Sequence, residues 1–187
     1  MSIQNQKAFI VREAKETDAK AIVNYLYENQ DHFLYMISKT EEMKLDLTYE
    51  KKMIQLHAER ENCIFYLALK KDKVLGMLNF VGGNRSRDMH DGEFGLSVHK
   101  DCFGQGIGTV LMENLMRWGR RNQVIKRMTL FVMHSNKRAI NLYQRFGFRI
   151  EGVRRKAVRF EDGRIQDLVM MGILKEEGSD EWIGDKQ

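Results

Sequence analysis

The sequence predicts an α/β protein: a mixed, mostly antiparallel sheet flanked by about four helices. Three observations predict it. Apolar runs bounded by turn signals form antiparallel hairpins in the first half. A glycine-rich turn in the second half joins a strand directly to a helix, as a βαβ passage requires. The chain order of strand and helix signals is β-α-α-β-β-β-α-β-α-β-β.

Phe9-Ile10-Val11-Arg12 reads as the first strand. Thr17-Asp18 opens a helix with Ile22, Val23 and Leu26 on its apolar stripe. Residues 31–47 mix helical and irregular signals. Thr48 is the expected cap of a second helix, with Met53, Ile54 and Leu56 facing inward. Cys63 to Leu69 is a nearly continuous apolar strand, Lys71-Asp72-Lys73 turns it, and Val74 to Val81 returns before Gly82-Gly83-Asn84. Glu93 to Val98 forms the next strand. After Gly104-Gln105-Gly106-Ile107-Gly108 comes a helix with Ile107, Leu111, Leu115 and Trp118 at 4, 4 and 3 spacing. Arg127 to Met133 is a strand, and Asn136 opens a helix that Gly147 closes in a left-handed conformation. Two last strands, about 148–160 and 164–174, meet at Glu161-Asp162-Gly163.

The 187 residues are enough for one domain, expected over 1–175, with an acidic and loosely held tail over 176–187. The chain is 43% hydrophobic and 30% charged, ordinary for a water-soluble globular protein. It shows neither a membrane-length apolar run nor the charged-then-apolar order of a signal peptide. Cys63 and Cys102 lie far apart without metal-ligand spacing, so free thiols, a cytoplasmic location and no metal are expected. The net charge of +5 is scattered; its densest cluster, Arg154-Arg155-Lys156 with Arg159, is either a solvated face or an anion-steering patch. No interleaved aromatic and basic motif marks specific nucleic-acid binding.

Gly104, Gly106 and Gly108 stand where a strand becomes a helix. Glycine allows left-handed backbone angles and close approach of a ligand, and a helix N-terminus offers unpaired N–H groups with partial positive charge. The combination suits a pyrophosphate. The turn lacks the Gly-Lys-Ser/Thr of a P-loop and the spacing of a Rossmann fingerprint. Read alone, it is equally a plain tight turn.

About thirty residues later comes Ser135-Asn136-Lys137-Arg138-Ala139-Ile140-Asn141-Leu142-Tyr143-Gln144-Arg145-Phe146-Gly147-Phe148. Together these two segments resemble motifs A and B of the GNAT acetyltransferases. The likeness is specific over about 91–150, and looser over 8–175 through the order of elements. Glu151-Gly152-Val153-Arg154, Asp162-Gly163, Asp167 and Met170 resemble the C-terminal part of its amino-acid and protein N-terminal acetyltransferases. The resemblance implies acetyl-CoA as acetyl donor. Its pantetheine arm would pair with the backbone of Leu96, Ser97 and Val98, in a gap where this strand splays from strand 127–133. Its pyrophosphate would rest on the amides of Gly104, Gln105, Gly106, Ile107, Gly108 and Thr109. Asn136 would orient the arm, besides capping its helix. Tyr143 would act as general acid toward the departing thiolate; by periodicity alone it is a core tyrosine.

Phe103 departs from the pattern, since motif A opens with Gln or Arg; Gln105 is a candidate replacement. An alkylammonium is almost wholly protonated at neutral pH, so a base is needed. Glu93 is the first candidate, against a solvent-facing strand residue. Relatives specialised for protein N-termini often carry a glutamate where this chain has Phe131. His134 reads as a strand-end surface residue, and Cys102 lacks the neighbours of a nucleophile. Glu151 and Asp167 are read as strand-pair charges, with recognition of a cationic amine as the alternative. The pocket is expected from 27–47, 82–93 and 154–165, where Tyr27, Phe33, Tyr35, Met36, Met43 and Tyr49 are read either as apolar walls or, equally, as core packing. The implied reaction acetylates a primary amine of a small molecule or amino acid. A protein N-terminal or lysine acetyltransferase and a catalytically reduced CoA-binding sensor are the alternatives. A homodimer is a family expectation.

Overall fold

A computed structural model of the chain describes residues 9–29, 46–160 and 162–183. Seven strands form one sheet in the order β1-β2-β3-β4-β5-β7-β6. They are β1 (Ile10–Glu13), β2 (Cys63–Lys70), β3 (Lys73–Gly82), β4 (Asp91–Val98), β5 (Arg127–Met133), β6 (Arg149–Arg159) and β7 (Ile165–Leu174). Four helices flank it: α1 (Ala19–Asn29), α2 (Leu47–Glu59), α3 (Ile107–Arg121) and α4 (Lys137–Arg145). The element order and the mixed sheet match the reading of the sequence.

Every neighbouring pair is antiparallel except β4 and β5, which run parallel. A parallel connection needs a crossover, and α3 supplies it. The parallel ladder is short. It pairs Asp91 with Arg127, Gly92 with Met128 and Glu93 with Thr129, and then stops. Beyond Glu93, β4 continues to Val98 with β3 as its only ladder partner.

Alternation along the strands sends side chains to two cores. On one face α3 and α4 bury Phe94, Ile107, Leu111, Met112, Leu115, Met128, Tyr143 and Phe148 among others. On the other, α1 and α2 cover the first half of the sheet, with Ile22, Tyr25, Leu26, Ile54, Phe65, Leu67 and Leu69. Gly76 brings α3 close to the sheet. A Cβ there would lie 2.9 Å from the Ser97 carbonyl and 3.0 Å from Ile107. At the chain's start the Arg12 guanidinium grips both Asp18 oxygens, at 2.6 and 2.8 Å, and the Lys15 N–H donates to the same carboxylate at 2.7 Å. These bonds hold Asp18 well below the usual carboxylate range.

Three local expectations are corrected. Asp46, not Thr48, caps α2, accepting from the Tyr49 N–H at 2.9 Å. The buried stripe of α2 is Glu50, Ile54 and His57, while Leu56 is 37% exposed. Periodicity could not find this stripe because two of its members are ionisable. The tail is also better held than its composition suggests. Trp182 is 2% exposed, donates to the Met116 carbonyl at 3.4 Å, and fits against Gly119 of α3. Lys175 pairs with Trp182 across an antiparallel bridge, and its ammonium donates to the Arg120 and Asn122 carbonyls at 3.2 and 2.8 Å. Gly147 and Gly163 take the left-handed angles expected of them, with φ of 88° and 82°. Glu161 and most of the ambiguous 31–47 stretch, including Phe33, Tyr35, Met36 and Met43, lie outside the described residues. Tyr27 and Tyr49 are exposed.

Burial pushes the Glu50 carboxyl up to about 7, with repulsion from Asp46 adding to it. The folded state therefore holds this proton more tightly than the unfolded chain. Stability should fall as pH rises from the ordinary value of 4.5 toward about 7, by up to about 3 kcal/mol for this one group. Urea midpoints across that window should slope downward in the wild type and lose that slope in Glu50→Gln.

Candidate active site

The end of β4 and the start of α3 build the first part of the site. After Val98 the chain makes a short 3₁₀ turn, Lys100–Cys102, then passes through Phe103 into the glycines. Gly104 and Gly106 have φ of 83° and 79°, angles that L-residues rarely adopt, and Gly106 is the N-cap of α3. A Cβ at either position would meet nothing within 4 Å, so the space in front of the turn is open. The first helical bond runs from the Val110 N–H to the Gly106 carbonyl at 3.1 Å. Among the described residues, the amides of Gly104, Gly106, Ile107, Gly108 and Thr109 have no protein acceptor. That of Gln105 has only a long bond, 3.4 Å, to Cys102. A fan of free donors at the positive end of a fifteen-residue helix is an anion seat.

The second part is the unpaired edge of β4. On one side Leu96, Ser97 and Val98 pair with Leu78, Met77 and Gly76 of β3; the β5 side has no ladder there. The Tyr25 hydroxyl donates to Ser97 Oγ at 2.9 Å and ties α1 to this edge. His99, buried just beyond, is 3.2 Å from Glu28, and the Lys100 N–H donates to Asn29 at 3.1 Å, so the last turn of α1 fixes the strand's end.

Tyr143 packs beneath the point where β4 and β5 part. Its ring meets Phe94, the first residue past the last β4–β5 pair, edge-on with centroids 5.7 Å apart, and meets Phe148 at 6.3 Å. The residue is 6% exposed, and its hydroxyl has no hydrogen-bond partner among the described residues. Burial raises its pKa well above the usual tyrosine value, so at neutral pH it keeps its proton and remains a donor. Asn136 caps α4, its Oδ1 accepting from the Ala139 N–H at 3.1 Å. Its Nδ2 group makes no bond among the described residues.

Glu93 lies on the opposite face of β4 from Phe94, in the last registered pair. It is reached by solvent, yet surrounding protein raises its carboxyl above the usual range, with Asp91 adding repulsion. Asp91 faces Arg127 at 3.6 Å, and Arg127 forks onto Glu151, with one contact at 3.0 Å. Asp167 accepts from the Lys156 N–H at 2.7 Å, where β6 bulges. Glu151 and Asp167 thus have structural partners. His134 is exposed and accepts from Lys137 at 3.1 Å.

Phe103 is 53% exposed, and the Arg138 guanidinium sits over its ring, 5.0 Å from the centroid. One turn further along α4, Leu142 packs against the Gly108 position. Arg138 therefore sits beside the fan of amides. Gln105, the expected substitute for the missing motif residue, is otherwise engaged, donating to the Asp101 carbonyl at 3.1 Å. Arg138 is the cation that motif spacing could not reveal, because it reaches Phe103 from another helix.

Residues 23–148 match the acetyltransferase (GNAT) family. The chain belongs to that family. Among curated proteins, it is 28% identical over 102 residues to the L-amino acid N-acetyltransferase AaaT of Escherichia coli (strain K12). That match takes in 54% of this chain and 62% of the relative, so it spans less than two thirds of the relative's length. Among solved structures, a GNAT-family acetyltransferase from Streptococcus pneumoniae superposes with a TM-score of 0.85 and 27% identity, over 89% of this chain and 99% of the other. The acetyltransferase yncA of Salmonella typhimurium, solved with its cofactor acetyl-CoA, gives 0.79 and 19% over 91% and 96%.

In this GNAT chain the Gly108 position of the amide fan lies against Leu142 of α4 and against Leu96 and Val98 of β4, and Tyr143 lies against Phe94. Glu93 lies across the strand from Tyr143's ring. Among the described residues no cluster of His, Cys, Asp or Glu could hold a metal, and no helix is long and apolar enough to cross a membrane.

Proposed function

We propose that the protein transfers acetyl from acetyl-CoA directly to a primary amine of a small molecule or amino acid. The observation that carries the reading is the meeting of two sets of unsatisfied main-chain groups: the amides of 104–109 and the β5-facing edge of Leu96, Ser97 and Val98. Buried or half-buried backbone groups normally find partners. Here the partners fit a diphosphate and an amide-bearing arm.

Bound there, acetyl-CoA supplies an activated thioester. The amides of 104–109 hold its diphosphate, and Arg138, steadied on Phe103, adds a full positive charge beside them. Asn136 offers its free Nδ2 to the arm. Edge N–H groups of β4 polarise the thioester carbonyl, as preorganised donors do at a developing oxyanion. Glu93, directly or through a water, takes a proton from the incoming ammonium. The amine nitrogen bonds to the acetyl carbon, the C–S bond breaks, Tyr143 gives its proton to sulfur, and the second proton shed by the acylated nitrogen restores the tyrosine. Glu93's raised pKa makes it a better base than an ordinary exposed glutamate. The L-amino acid acetylated by AaaT supports an amino acid as acceptor.

Three outcomes are expected. Saturating acetyl-CoA should raise the melting temperature, since it binds only the folded state; no shift at millimolar concentration would sink the reading. In a thiol-release assay across amino acids, polyamines and short peptides, Tyr143→Phe should lower kcat about 10²-fold or more while that thermal shift persists. Ionised Glu93 is the active form, so kcat/KM should fall as pH drops through a pKa above the usual carboxylate range. In Glu93→Gln that acid limb should vanish along with most of the rate.

A further inference from the structure

We infer that the acceptor carries a carboxylate next to its amine, and that Arg154 binds it. This rests on the acetyl-transfer reading above and adds the recognition element for the second substrate.

Among the described residues, α1 and α2 leave part of one face of the sheet open. Asp91 and Glu93 on β4 and Arg127, Thr129 and Phe131 on β5 point to this side, as the 3.4 Å Thr129–Asp91 hydrogen bond shows. α1 packs on β3 and α2 on β2. Thr129, Phe131 and Met170, further across, remain half-exposed. The amine must approach from this side, because Tyr143 and the α3–α4 core fill the other.

Next come the charges. Arg127 is neutralised by Glu151 and Asp91, which brace the base of the β4–β5 ladder. Two ionic groups toward the gap have no ion pair among the described residues: Glu93, beside the point where the strands part, and Arg154. Arg149, opposite Gly172, lies on the same side at the outer edge of the sheet. Arg154 belongs to β6, but its guanidinium reaches inward over Phe131, 6.0 Å from the ring centroid. The ring steadies the cation without neutralising it, leaving its donors available for a planar anion. Phe131 is two residues beyond Thr129, the β5 partner of Glu93, so sheet spacings put the side-chain origins of Glu93 and Phe131 at least roughly 8 Å apart. A base and an uncommitted guanidinium thus flank the reaction gap on its open face. Together they suit a zwitterion, whose ammonium goes to Glu93 and whose carboxylate accepts the arginine fork.

The β6 bulge between Arg154 and Val158 contributes to this aim. It is pinned by the Lys156 N–H bond to Asp167, and Lys156 takes a φ of 54°. The irregularity in the edge strand begins at the residue that points into the site.

The test compares each amino acid with its own amide, as acceptor pairs, in wild type, Arg154→Gln and Arg154→Lys. Scoring the acid-to-amide ratio of kcat/KM against the wild-type ratio cancels the difference in amine basicity. The ratio should fall at least tenfold in Arg154→Gln, through KM for the acid, and recover in part in Arg154→Lys. The thermal shift with acetyl-CoA reports that the variants are folded. An unchanged ratio, or a wild type that acetylates only carboxylate-free amines, overturns the role of Arg154 and leaves acetyl transfer standing. A cofactor shift with no turnover of any acceptor overturns both.

Discussion

The structure depends on a hydrogen-bond ladder that stops early. β4 and β5 pair over three residues and then diverge, although both strands continue. A sheet interior is an unfavourable place to leave N–H and C=O groups unpaired. The molecule compensates around the break. Arg127, Asp91, Glu151 and Thr129 tie the paired end together. Tyr25, His99 and Asn29 fasten the free end of β4 to α1. Phe94, Tyr143 and Phe148 fill the space beneath. The gap is thus held open by packing rather than left by a deficiency of it. Such preorganisation lets a site meet its ligand without first rearranging.

The α3 N-terminus follows the same rule. Gly106 adopts the left-handed angle that starts the helix, and no side chain caps it. A capping Ser, Thr or Asp satisfies such an amide only from an extended backbone, which the left-handed φ of 79° at this position excludes. The absence of a side-chain cap leaves those donors for a ligand. Two neighbouring elements, one strand and one helix, therefore both forgo internal hydrogen bonds toward a common space.

Much of this was legible in the sequence, because the signals were local. Glycine spacing marked the turn, and the segment from Asn136 to Phe148 marked α4. The hairpins were visible as apolar runs between turn residues. What escaped depended on contacts between distant segments. Leu56 looked like a core residue, but the buried face of α2 uses Glu50 and His57 instead. Asp46 won the cap from Thr48 because it stands where its oxygen reaches the Tyr49 N–H. Phe103 read as a loss of a polar contact until Arg138 was found over it. The positive cluster at 154–159 was ambiguous for the same reason. All four residues are exposed, and only tertiary packing shows that one of them, Arg154, lies over the ring of Phe131.

The docked tail has a practical consequence. Trp182 and Lys175 clasp the C-terminal end of the helix whose opposite end carries the free amides. The segment after β7 therefore acts as a brace rather than a trailing extension. Trimming the gene at the last strand would remove a buried indole from beneath α3. It would leave a hole beside Gly119 and Met128, where atoms would have to shift to fill it. A protease that nips this short stretch would act at a distance on the helix whose far end carries the free amides.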